Sequence, residues 1–125
     1  MSFDWHNYLG FSETALAKVS DYPDSEAVHR SVVSRAYYAV YCATRNLVKQ
    51  KDRQSFSGNA HQQLQDYLIN HPNRARKRLG NRLKQLHQLR IKADYDGRLQ
   101  QQSTSMAQQA IVKAKDIEND LAEIF

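Results

Sequence analysis

One cysteine, two prolines and four glycines occur in 125 residues, and each scarcity excludes something. The lone thiol, Cys42, cannot close an internal disulfide, and its place in a helical run reads as a buried, inert thiol rather than a nucleophile. With only Pro23 and Pro72 to interrupt it, the chain can hold long helices. Nowhere do the ~18 apolar residues that a membrane span requires run together, and residues 1–8 lack the basic and apolar regions of a signal peptide. The chain is therefore expected in the cytoplasm, with no membrane partner. His6, His29, His61, His71 and His87 show no spacing to cysteine or carboxylate that resembles a metal site, so neither a metal nor another cofactor is expected. Acidic residues are also missing between positions 67 and 93, where Arg74, Arg76, Lys77, Arg78, Arg82, Lys84, Arg90 and Lys92 all fall.

What is present describes an ordinary folded domain. The chain is 41% apolar and 25% charged, a composition that supports one core and argues against disorder, so residues 1–125 are expected to form a single domain. A net charge of +5 favours a polyanionic partner such as nucleic acid, without deciding fold or specificity. The C-terminal segment has the opposite bias, with Asp116, Glu118, Asp120 and Glu123 following Lys113 and Lys115.

Periodicity points to helices throughout. Each proline sits among turn-forming and capping residues, at Asp21-Tyr22-Pro23-Asp24 and Asn70-His71-Pro72-Asn73. A first helix is expected over residues 4–20, with Trp5, Tyr8, Leu9, Leu16 and Val19 inward and Gly10 a weak point. A second runs from about residue 25 to 51 on a stripe of Val28, Val32, Ala36, Val40, Ala43 and Leu47. Its segment from Ala36 to Ala43 is apolar or aromatic all round, which a helix tolerates only when enclosed on most sides. After a polar loop over residues 52–59, a short helix spans 60–69. A fourth follows Asn73 to about Asp94 with Leu79, Leu83, Leu86 and Ala93 on one face, and Asp94-Tyr95-Asp96-Gly97 turns the chain. The last begins near Ser105, whose spacing to Gln108 forms a capping box, and buries Met106, Ala110, Ala114, Ile117, Leu121 and Ile124. No segment alternates with period two for long. The expected fold is all-α, an antiparallel bundle of four main helices plus a short one.

Helix four carries a local conflict. At 100° per residue, Arg90 falls within roughly 20° of Leu79, so a guanidinium points toward the apolar face. An unpartnered buried cation costs several kcal/mol; Asp94, four residues on, is the nearest anion, and a structural Arg90–Asp94 pair closing the helix is the plain alternative to catalysis. Helix two supplies Arg35 beside Tyr37, Tyr38 and Tyr41. Those tyrosines can stack bases or donate to phosphate, or simply be core with hydroxyls at the rim. His61 can bind phosphate near a helix N-terminus or titrate near neutral pH, or be a surface or capping residue.

Ser34-Arg35-Ala36-Tyr37-Tyr38-Ala39-Val40-Tyr41-Cys42-Ala43 resembles the Arg-Ala-Tyr-Tyr-Ala signature of helix two in a prokaryotic branch of the HEPN (higher eukaryote and prokaryote nucleotide-binding) domains. Leu89-Arg90-Ile91-Lys92-Ala93-Asp94-Tyr95-Asp96 resembles that branch's Leu-Arg-x-x-Ala-Asp-Tyr-Asp block, and His61 sits where it often carries a histidine. The likeness implies a helical bundle that commonly forms a homodimer around a shared cleft. It also implies an RNA partner and, in many members, metal-independent endoribonuclease activity in a toxin or defence protein paired with a nucleotidyltransferase antitoxin. In those enzymes an Arg-x(4-6)-His motif handles the 2′-hydroxyl or leaving-group proton and the phosphate charge. Here Asp94 and Tyr95 follow Arg90 instead of a histidine. The literal match Arg82-Leu83-Lys84-Gln85-Leu86-His87 is a spacing that ten arginines and five histidines produce by chance about once, so His87 is not assigned the catalytic role.

The site implied by residues and resemblance together has Arg90, Asp94 and Tyr95 as catalytic group, with Arg35, Tyr38, His61, Arg78 and Arg82 toward RNA phosphate. Two other readings stand beside it. One is a non-catalytic module binding a nucleotidyltransferase or another protein through the acidic last helix or aromatic helix two. The other is a nucleic-acid binder using only the basic stretch of helix four, where a charge run is as often just a solvated face.

Overall fold

The computed structural model describes residues 3–125. Five α-helices build it: α1 (His6–Ala17), α2 (Ser25–Leu47), α3 (Ala60–Ile69), α4 (Arg74–Tyr95) and α5 (Gln102–Ile124). No strand occurs among the described residues. The fold is an all-α bundle, and none of its helices is long and apolar enough to cross a membrane among those residues.

α2 is the central strut. It packs on α1, α4 and α5, while α3 lies on α4. Asp24 starts it by accepting from Ala27 N at 3.2 Å, the N-cap arrangement that satisfies an orphan amide. Its stripe Val28, Val32, Ala36 and Val40 is buried as the three- and four-residue spacing requires. Val33, Tyr37, Ala39, Tyr41 and Cys42 are buried as well, so the middle of the helix is enclosed on most sides. Burial pushes the Cys42 thiol up, which keeps it protonated and unreactive.

Several boundaries differ from the periodic reading. α1 stops at Ala17 and a short 3₁₀ turn, Val19–Asp21, completes the segment. α2 ends at Leu47 and passes into a π turn, Val48–Asp52, which closes at Arg53 in the left-handed region (φ 57°). α5 begins at Gln102, three residues before Ser105. Leu99 and Ser103 are buried there, and packing of that turn extends the helix backward. The Ser105 hydroxyl instead accepts from Gln109 Nε2 at 2.9 Å.

Asn73 caps α4 by accepting from Arg76 N at 3.1 Å. Leu79, Leu83, Leu86 and Ala93 are buried on one face as expected. Gly80 permits a very close approach: a Cβ there would stand 2.8–2.9 Å from Ile69 Cγ1, Ile69 N and Leu68 Cβ. With no side chain at that point, α3 can lie directly on the α4 backbone.

Candidate functional site

One end of the α2, α3 and α4 contact gathers aromatic and imidazole rings around a guanidinium. α2 presents Tyr37, Tyr38 and Tyr41, α3 presents His61 at its first turn, and α4 presents His87 and Arg90 one turn apart. Tyr37 is the floor of the cluster, completely buried. Its ring stacks on His87 at 5.0 Å between centroids and 18° between planes. His61 stacks on Tyr41 at 4.1 Å and on His87 at 5.0 Å. The Tyr37 hydroxyl and His61 Nδ1 share a 2.6 Å hydrogen bond, and Gln65 Nε2, buried on α3, is 2.9 Å from His87 Nδ1.

Arg90 forms the rim. Its Nη2 donates to the Tyr38 hydroxyl at 2.9 Å. Its Nε lies 2.8 Å from Asp94 Oδ2, yet that N–H makes no hydrogen bond, because it is not aimed at the oxygen. The contact is an ion pair of poor directionality. Asp94 receives only a long contact from Ser34 Oγ at 3.5 Å. The guanidinium also lies 5.1 Å from the Tyr38 ring centroid and 5.9 Å from that of Tyr95, within cation–π range. The Arg90 side chain is 15% exposed and Tyr95 is 74% exposed, so the cation is recessed beneath a solvent-facing phenol.

Electrostatics follow from this packing. Burial, then the neighbouring His61 and Arg90, pushes the His87 imidazole down to about 4. His61 is also lowered, first by burial and then by Arg90 and Arg45. Both imidazoles are therefore neutral at neutral pH, one at the rim and one beneath it. Tyr37 is raised by burial and stays a phenol. If its oxygen accepts from His61 Nδ1–H, the Nε2 lone pair of His61 is available as a base; the opposite direction leaves Nε2–H as a donor.

The residues singled out from sequence divide into two groups. Arg90, Asp94, Tyr95, Tyr38, Arg35 and His61 come together: the Arg35 guanidinium lies 5.5 Å from the Tyr38 ring and 5.0 Å from that of Tyr8. Arg78 and Arg82 do not join them. They lie twelve and eight residues before Arg90 on α4, about 18 and 12 Å along the axis, and Arg82 pairs with Asp120 at 2.5 Å. Arg76 is likewise occupied, with Asp52. The basic stretch of α4 is thus partly neutralised within the fold. So is the acidic last helix, since Asp120 pairs with Arg82.

His87 and Gln65 are members to which the sequence assigns no role. Their shared signal is modest: polar side chains at the apolar edges of α3 and α4, at a height where α2 offers a tyrosine. Among the described residues no three His, Cys, Asp or Glu side chains gather as a metal site would require. No family model matches the chain, and neither a curated protein nor a solved structure does.

Proposed function

We propose that this chain acts on RNA as a metal-independent endoribonuclease of HEPN type, holding a backbone phosphate at Arg90 and handling the proton at His61. One observation carries the reading. An arginine bonded to the Tyr38 hydroxyl and only loosely paired with Asp94 meets a neutral histidine around Tyr38, although no histidine follows Arg90 at the family's spacing. An Arg and His pair is thus assembled across α3 and α4 rather than along one helix. Asp94 and Tyr95 then need not replace a missing histidine: Asp94 orients Arg90, and Tyr95 is a solvent-facing hydroxyl beside the phosphate.

The chemistry balances without further groups. His61 Nε2 takes the proton from a ribose 2′-hydroxyl as that oxygen bonds to phosphorus. The bond from phosphorus to the 5′-oxygen breaks, that oxygen gains a proton from water, and a 2′,3′-cyclic phosphate remains. Arg90 stabilises the charge that develops on the non-bridging oxygens, a contribution on the order of 3 kcal/mol for a preorganised donor. Tyr37 positions the imidazole through Nδ1.

Incubation of purified protein with structured RNA and with tRNA in EDTA, beside Arg90→Ala and His61→Ala, tests the proposal. The expected result is cleavage that both variants lose. Absence of cleavage by the parent chain, or equal cleavage by all three, removes it. A homodimer and a nucleotidyltransferase partner belong to the same family-type reading, and co-purification with such a partner would support it. The alternative of a protein module docking on the acidic last helix is weakened by the internal pairing of Asp120 with Arg82.

A further inference from the structure

α2 continues past the Arg90 site with cations that have no function in the proposal above. Arg35, Tyr38, Tyr41 and Arg45 fall within a 120° arc at 100° per residue. From Arg35 to Arg45 they span about 15 Å, and Lys49 follows in the π turn. Arg35, Arg45 and Lys49 form no salt bridge with any described residue. That contrasts with Arg30, Arg76, Arg82 and Arg90, each of which has a carboxylate. Arg45 bonds only the neutral Asn46 amide oxygen, through Nε at 3.2 Å and Nη2 at 3.1 Å.

Aromatic rings stand between these charges. The N-terminal turn of α1 lays Trp5 and Tyr8 against the stripe, Arg45 lying 5.7 Å from the Trp5 ring and Arg35 5.0 Å from that of Tyr8. Phe3, packed on both rings, is half exposed. Beyond Arg45 a cavity of about 230 Å³ opens, lined among others by Tyr41, Arg45, Lys49 and Phe56. No carboxylate lines it. Tyr41, one wall of this cavity, is the ring on which His61 stacks, so the cavity adjoins the Arg90 site directly.

Guanidinium and ammonium groups in file, separated by aromatic faces and free of carboxylates, match a single strand's backbone and its unstacked bases. A duplex keeps its bases stacked inside and gains nothing from the rings. We infer that the Arg35–Arg45 face of α2 and Lys49 in the turn that follows it, with Trp5 and Tyr8, form a track for single-stranded RNA of about four nucleotides, leading away from the phosphate held at Arg90. The inference rests on the function proposed above and specifies the form of its substrate.

Fluorescently labelled uridine oligonucleotides of two to eight residues, measured by anisotropy with the full chain, test it. Trp5, the sole tryptophan, supplies an independent signal at the track itself. Affinity is expected to rise with length to about four nucleotides and then level off, with Trp5 emission changing only for the longer strands. In the double variant Arg45→Gln/Lys49→Gln, the octamer should bind about tenfold more weakly. Its slope of log K against log salt should fall by about 1.4, at roughly 0.7 for each phosphate no longer neutralised. Circular dichroism establishes that the variant is folded.

A double variant that binds like the parent, while Arg90→Ala binds weakly, overturns the track and leaves the phosphate site standing. A parent chain that binds no RNA, or whose binding ignores Arg90→Ala, overturns both. Equal affinity for an RNA duplex of the same length, or preferential uptake by phosphatidylserine vesicles, overturns the single-stranded assignment.

Discussion

Arg76 and Arg90 lie on one helix, about 21 Å apart along its axis, with side chains 12% and 15% exposed. Each has an aspartate and a tyrosine. Their environments nevertheless differ in kind. Arg76 grips both oxygens of Asp52, which also accepts from the Tyr67 hydroxyl at 2.8 Å, and its guanidinium covers the Phe125 ring at 4.2 Å. The Arg76 guanidinium hydrogen-bonded to Asp52 holds that carboxyl below its ordinary value. Arg90 has one ill-directed carboxylate contact, one phenol and an unmatched N–H. Equal burial therefore conceals different pairing. A guanidinium whose donors are matched within the fold is a clamp, here joining the turn after α2 to the start of α4, whereas the loosely paired one is, on the proposed function, the group that receives an anion from outside.

The strongest way to break that contrast is to remove each arginine in turn. Arg90→Ala should lower RNA turnover by about 10²- to 10³-fold with a change in stability under about 1 kcal/mol. Arg76→Ala should do the reverse, losing about 2–4 kcal/mol with turnover per folded molecule retained. Urea denaturation and cleavage rates on the same preparations separate the two; similar stability losses would abolish the distinction. Between the two arginines, Gly80→Ala should cost about 1–3 kcal/mol. The new Cβ meets the Ile69 backbone as well as side chains, and the gain in helix propensity of about 1 kcal/mol does not offset that. A thermal midpoint equal to the parent's would show that α3 yields.

Titration sharpens the comparison further. An unfolded His87 takes its proton near 6.5 and the folded one near 4, so between those values the unfolded state binds more protons. Stability from this group is complete above pH 6.5, falls as the pH drops toward 4, and changes no further below it. The loss should be about 1–2 kcal/mol once solvent access to the ring is allowed for. Asp52 weakens the Arg76 end only at lower pH, as its carboxyl protonates below 3.8. Urea midpoints across this range should flatten between pH 6.5 and 4 in His87→Gln. The smallest effect is kinetic: with His61 lowered and acting as base, kcat/KM should rise with pH and level off below 6.5. A plateau reached only above that value would remove His61 from the role.

How far the sequence carried depended on whether an interaction lay within one helix. The stripes of α2, α4 and α5 were legible because helical phase determines which side chains share a face. Arg90 with Asp94 was legible for the same reason, as an i, i+4 pair. Phase says nothing about which turn of α3 meets which turn of α4. The joining of His61 to His87 and Tyr37 was therefore invisible, and the only Arg and His spacing that could be counted, Arg82 to His87, carried no weight: Arg82 turns to Asp120 on α5. Counting cations failed similarly. The acid-free stretch of α4 looks uniformly basic, yet Arg76 and Arg82 find carboxylates distant in sequence, while Arg45 and Lys49, in a less basic segment, find none. Ser105 was misplaced as a cap because its spacing satisfied the motif without the chain needing to begin a helix there.

The 2.6 Å contact between the sealed Tyr37 hydroxyl and the His61 ring has a spectroscopic consequence. A hydrogen caught in so short a bridge is strongly deshielded, and with no direct route to bulk water it exchanges slowly. Its magnetic resonance signal should stand apart downfield and move when a ligand arrives above the imidazole, reporting occupancy without any label.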